Sequence, residues 1–341
     1  MAAPLSPPSL DADASDPPIL RASSSYKSYT IDAFHYADLR VFHHPHPDPS
    51  PSRPLIVCIH GLGGSVAQFA ALLPRLTQLC SVVAIDLPGC GRSAFSEYAW
   101  AAYTPAALVQ LLDVAVAEVR QPEQHVVLVG HSMGTALASQ LADDNAAALA
   151  PHVAALVALC PISAGMNVQR TTLLRRLIWV PGWVFNLWRI WDRRGGEDSA
   201  SVTRFVGADA PRELKALQHR FNTQSQTPVW RRMVWGMLPL DHAADGTPIG
   251  GATSLEVWGR VQVPVLLIGG AEDKVTAPQE VELVASAVRA SAYSEAGTAK
   301  VVETRIMDSP ANHTLLYDPR IVPELQEIIA EFLMEHTPGL A

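Results

Sequence analysis

The chain has 341 residues, an apolar share of 48% and a formal net charge of −8. That length suits one large α/β domain with an insertion, and the apolar share is enough for a sizeable core. The acidic balance excludes general nucleic-acid binding. The charge is uneven, however. Between Gly165 and Leu240 there are 12 Lys/Arg against 5 Asp/Glu, or +7, which leaves −15 for the rest.

Residues 1–25 are rich in Pro, Ser, Ala and Asp and are expected to be a disordered tail. They have no apolar stretch of the kind a signal peptide carries. No apolar run reaches the roughly 18 residues of a membrane-spanning helix. Cys58, Cys80, Cys90 and Cys160 form no CxxC pair and read as buried free thiols. A cytoplasmic location is the expectation.

Tyr26–Phe34 and Asp38–Phe42 suggest an antiparallel hairpin on a sheet edge. His43, His44 and His46 fall in a Pro-rich stretch that reads as a solvated loop rather than a metal cluster. Five short β-branched runs then read as buried strands: Leu55–Ile59, Val82–Ile85, Val126–Val129, Ala155–Leu159 and Val265–Ile268. Lys300–Ile306 is more amphipathic and suits an edge. Helical patterns lie between them, over 66–79, 104–120, 133–150, 277–290 and 323–336. Thr104-Pro105 supplies an N-cap and first-turn pair. Strands alternating with helices imply a parallel sheet covered on both faces.

The alternation breaks between Cys160 and Val263, which marks an inserted unit rather than a loop. The predicted division is a tail at 1–25, a core formed by 26–160 and 261–341, and a helical cap at 161–260. The cap holds seven of the eight tryptophans: Trp179, Trp183, Trp188, Trp191, Trp230, Trp235 and Trp258.

Candidate chemistry centres on GHSMG, Gly130–Gly134. Ser132 follows a predicted strand directly and opens a helix. A tight turn there requires glycine on either side and lifts the serine above the sheet. The helix N-terminus that follows favours developing negative charge. A serine hydroxyl needs a base, and His313 in NHTLLYDP, after the last strand, is the best placed. His60 is expected to brace its loop, and His131 to point into the structure that supports the turn. The base needs an orienting acid. Asp273 in GGAEDKVTAP follows a strand directly, with Glu272 as its rival and Asp308 and Asp318 as weaker ones. The position after Ala155–Leu159 offers Cys160 and no carboxylate. HGLGG, His60–Gly64, can turn a backbone N–H toward the serine. The amides of Leu62 and Met133 are the candidate oxyanion donors. No GK[ST] follows HGLGG, which argues against a phosphate loop.

HGLGG, DLPGCGRS (Asp86–Ser93), GHSMG, GGAEDKVTAP and NHTLLYDP together resemble the α/β-hydrolase fold family over about residues 55–335. The resemblance implies an eight-stranded, mostly parallel sheet with helices on both faces. It also implies a Ser132-Asp273-His313 triad and a cap after the sixth strand. Asp86 then belongs to a structural turn near the pocket. A serine at 132 disfavours the relatives that use an aspartate nucleophile.

The expected activity is hydrolysis of carboxylic esters with an apolar acyl or alcohol part, through an acyl-serine and without metal or organic cofactor. A C–C bond hydrolase, an acyltransferase or a ligand receptor with a silent triad remain alternatives, since one fold hosts many chemistries. For the segment Leu173–Arg194, two expectations stand side by side. The tryptophans pack the cap and line an acyl pocket, or one face of the cap contacts a membrane or lipid droplet.

Overall fold

The computed structural model describes residues 16–48, 50–163, 168–239, 241–242, 248–249, 251, 254–290 and 301–340. After α1 (Pro18–Ser23), β1 (Ser24–Ile31) and β2 (Phe34–His44) pair antiparallel. β3 (Leu55–Ile59), α2 (Leu73–Leu79), β4 (Ser81–Ile85), α3 (Pro105–Ala117), β5 (Val126–His131), α4 (Met133–Leu141) and β6 (Val153–Leu159) follow. Among the described residues, five α-helices then form the insertion: α5 (Val168–Ile178), α6 (Gly182–Asp192), α7 (Ala200–Val206), α8 (Arg212–Gln224) and α9 (Thr227–Met237). A two-residue pair, β7 (Asp241–His242) and β8 (Pro248–Ile249), precedes α10 (Leu255–Gly259). The chain closes with β9 (Val265–Gly270), α11 (Gln279–Ala290), β10 (Val302–Met307) and α12 (Val322–His336).

The main sheet has eight strands in the order β1-β2-β4-β3-β5-β6-β9-β10. β2 pairs antiparallel with β4, and every pairing from β4 to β10 is parallel. The period of two decides the two cores. In β3, Leu55, Val57 and Ile59 join the apolar cluster on one face, and Ile56 and Cys58 join that on the other. Helices must therefore cover both faces. β10, the amphipathic run, lies on the edge. Thr104 caps α3, its side chain accepting from the Ala107 N–H.

Several expectations are corrected. The tail does not extend to residue 25: Asp16 is buried, and residues 18–31 form α1 and β1. Asp16 Oδ2 accepts from Arg40 Nη1 at 2.6 Å and Arg92 Nε at 2.7 Å, so a charge in a polar run is drawn in by two cations distant in sequence. Arg40 Nε also pairs with Asp86 at 2.8 Å. His43 and His44 close β2 rather than lying in a loop. The helix expected over 66–79 is a 3-10 turn at Val66–Phe69 followed by α2. α4 stops at Leu141, well short of 150. Asp143 accepts from the Asn145 N–H at 3.0 Å, folding the chain back, and pairs with Arg260 at 2.6 Å.

Trp258 in α10 is fully buried, in an apolar cluster that also takes Val229, Met233 and Met237 of α9. Its indole N–H donates to the Ile162 carbonyl at 3.3 Å, which joins the outgoing and returning stems of the insertion.

Candidate active site

Ser132 sits between β5 and α4 with φ +52° and ψ −121°. Such a backbone is strained for any residue with a side chain, and it lifts the hydroxyl above the sheet's carboxyl edge. The flanking glycines are forced by contact. A Cβ on Gly134 would lie 2.1 Å from the Ile59 carbonyl oxygen, and one on Gly130 would lie 2.6 Å from that of Gly134.

His313 follows β10, and its Nε2 lies 3.1 Å from Ser132 Oγ. On the other side of the ring, Nδ1 lies 2.8 Å from Asp273 Oδ2. All three side chains are buried. Asp273 follows β9. Its Oδ1 accepts the N–H groups of Val275 at 2.7 Å and Thr276 at 2.9 Å, and its Oδ2 accepts the Thr276 hydroxyl at 2.8 Å. Burial alone would raise this carboxyl. The hydrogen bond and charge of His313, with the Thr276 donors, outweigh it and hold the group at about 2. The structure thus brings together the three residues singled out as nucleophile, base and acid. The rival Glu272 accepts instead from the Ser309 hydroxyl, and Asp318 pairs with Arg320 at 2.6 Å. Cys160, at the position lacking a carboxylate, is buried, with burial and then Asp273 raising its thiol.

Two further residues hold this geometry. Thr276 was not singled out from the sequence, although Asp followed three residues later by Thr is a turn pattern in which side chain and backbone exchange hydrogen bonds. His131 donates from Nε2 to the His313 carbonyl at 3.0 Å, clamping the backbone of the base. His60 donates from Nδ1 to the Gly61 carbonyl at 2.7 Å and accepts the Leu87 N–H at Nε2, 2.9 Å away. His131, Cys160 and His313 place donor atoms within 4.8 Å of one another. Both His313 nitrogens already serve Ser132 and Asp273, so this cluster is a hydrogen-bonded site rather than a metal ligand set.

His131 yields a pH prediction. Burial, then the neighbouring His313, depress it to about 3, against about 6.5 in an unfolded chain. Its contribution to stability is complete above about pH 6.5 and is lost as pH falls toward 3, because the unfolded chain binds the proton first. The urea midpoint should therefore drop below pH 6 with a component approaching about 1.4 kcal/mol per pH unit. His131→Gln should remove that component. An unchanged pH slope in the variant would contradict the assignment.

Residues 56–322 match the sequence profile of the alpha/beta hydrolase family. The chain belongs to this family. Among curated relatives, it is 27% identical over 191 residues to Abhydrolase domain-containing protein C57A10.08c of Schizosaccharomyces pombe, covering 54% of this chain and 51% of that protein. It is 32% identical over 115 residues to the uncharacterized hydrolase YugF of Bacillus subtilis, covering 34% and 38%. The aligned region thus spans about half or less of each curated relative. Among solved structures, carboxylesterase CesB (YbfK) from Bacillus subtilis superposes with a TM-score of 0.63 at 16% identity, covering 95% of this chain and 96% of that one. At that identity the likeness speaks for the fold alone.

In this α/β-hydrolase chain, Leu62 follows β3 and Met133 opens α4. Neither N–H has a hydrogen-bond partner among the described residues. A cavity of about 350 Å³ lies over Ser132 and His313. Leu62 lies in its floor, and the cap supplies Phe185, Trp188, Phe205, Phe221 and Trp230. Arg189 and Arg193 also face it. Arg189 donates to the Ser225 carbonyl at 2.8 Å, and Arg193 donates to the Asn222 carbonyl. They serve the C-terminal end of α8, where cations are favoured.

Proposed function

We propose that the protein is a serine hydrolase that cleaves carboxylic esters with an apolar acyl or alcohol part. The observation that carries this reading is the line from Asp273 through His313 to Ser132, with separations of 2.8 and 3.1 Å, at a strained turn beneath an aromatic pocket. Ser132 Oγ attacks the ester carbonyl while His313 Nε2 takes its proton. Asp273 holds the ring so that Nε2 accepts, and it stabilises the imidazolium. The amides of Leu62 and Met133 hold the oxyanion. Losing one such donor costs about 2.7–4 kcal/mol in the transition state. His313 then protonates the leaving alcohol, and water attacks the acyl-serine by the reverse sequence to release the acid. Phe185, Phe205, Phe221 and Trp230 offer the acyl or alcohol group an apolar enclosure.

The relatives described as hydrolases and the carboxylesterase-like fold agree with this reading. A panel of p-nitrophenyl esters and monoacylglycerols tests it, together with labelling by a fluorophosphonate probe. Turnover is expected with a preference for apolar acyl chains, and Ser132 should carry the label. Label on another residue, or saturable binding without turnover, would overturn the proposal.

A further inference from the structure

The cap presents to solvent the kind of helix face that proteins ordinarily bury. In α6, Trp183, Leu187, Ile190 and Trp191 stand at i, i+4, i+7 and i+8, the spacing of a core-facing stripe. They are 68%, 58%, 62% and 63% exposed. The inward side of the same helix carries Phe185, Arg189 and Asp192 toward the pocket. Leu173 and Leu177 of α5 and Trp179 just beyond it extend the exposed apolar area. The connection between the two helices is held firmly. Arg231 donates to the carbonyls of Ile178 and, at 2.8 Å, Val180. An apolar face fixed this way marks a contact surface rather than a frayed segment.

Charge identifies what it meets. Arg176 near the end of α5 and Arg194 just past α6 are exposed and border the patch. Neither has a carboxylate partner among the described residues. Asp192, the nearby acid, is taken by Arg204 at 2.9 Å. The cap stretch Gly165–Leu240 carries +7 on a chain whose total is −8. A second copy docking face to face would set one cationic cap against another. An anionic lipid surface instead attracts the cap, repels the body, and accepts tryptophan at the level of its headgroups.

We propose that α6 and the end of α5 dock on anionic lipid bilayers, with Trp183, Leu187, Ile190 and Trp191 inserted and Arg176 and Arg194 at the headgroups. Trp188 belongs to both surfaces, being 47% exposed and lining the pocket. Docking therefore sets the pocket mouth against the lipid. Delivery of a lipid ester from that surface to Ser132 would rest on the proposed hydrolase activity; the docking itself does not.

Flotation of the full chain with vesicles of phosphatidylcholine alone, and with added phosphatidylserine, tests this. Binding is expected only to the anionic vesicles, and weaker at high salt. Trp183→Ser with Trp191→Ser should abolish flotation while hydrolysis of p-nitrophenyl butyrate is unchanged, since neither residue lines the pocket. Arg176→Gln with Arg194→Gln should weaken binding about 25-fold, or about fivefold per charge. The proposal is overturned if the wild type ignores anionic vesicles, or if the tryptophan pair is dispensable for flotation. It is also overturned if the wild type sediments as a dimer that the tryptophan pair dissolves. Failure of the hydrolase reading would appear in the ester assay and leave flotation intact.

Discussion

Ser132→Ala is expected to lower kcat for any turned-over ester by about 10⁴–10⁶-fold, with little change in KM. On the proposed mechanism the hydroxyl supplies the bond-forming atom, and its loss would leave only the proposed oxyanion donors and the pocket. Asp273→Asn should cost about 10⁴-fold by a different route. An amide presents a donor where the carboxylate now accepts, so Nδ1 of His313 no longer keeps its proton and Nε2 no longer faces Ser132 as a base. Steady-state rates with matched circular dichroism spectra check both. Retention of more than about a hundredth of the activity by Ser132→Ala would remove the serine from the mechanism.

The largest expected loss of stability is at Arg40. This residue is 2% exposed and bridges Asp16 and Asp86, at 2.6 and 2.8 Å. Asp86 is fully buried and also accepts the N–H groups of Val66 at 2.6 Å and Arg92 at 2.8 Å. Arg40→Ala would leave two buried carboxylates short of a counter-charge, at a cost of about 3–5 kcal/mol. For a chain of this size the melting temperature should fall by roughly 4–7 °C. Asp16→Asn should cost less, because Asp86 keeps the Arg40 guanidinium and the Arg92 backbone N–H. A thermal scan of the three proteins would expose an error if both variants melted with the wild type.

The central strands were legible because parallel strands buried on both faces appear as unbroken β-branched runs. Leu55–Ile59 needs no partner to be recognised. Ser132, Asp273 and His313 were legible because each sits where a strand ends, beside turn residues with narrow steric demands. Asp16 was not. It is one acid among several in a polar stretch, and only Arg40 and Arg92 distinguish it. The clamp from His131 was hidden for the same reason, since its acceptor is a backbone carbonyl 182 residues away. Nor was the early end of α4 legible, where Asp143 turns the chain on the Asn145 N–H and meets Arg260 from across the cap insertion. Sequence pattern reports what a residue does to its neighbours in the chain. It is silent on which distant group arrives beside it.

The hydrogen bond from the Trp258 indole to the Ile162 carbonyl has a practical consequence. The outgoing and returning stems of the cap meet at this clasp, where Trp258 is buried in an apolar cluster and Ile162 packs against it. Everything between the stems can therefore be treated as a cassette. Exchanging it for the roof of another α/β hydrolase, with Ile162 and Trp258 retained, should change which molecules enter, provided the replacement offers an acceptor where the Val206 carbonyl now takes the amide of Asn312 beside His313. Cutting inside the clasp should instead cost the scaffold itself. The indole of Trp258 therefore marks where such an exchange should begin and end.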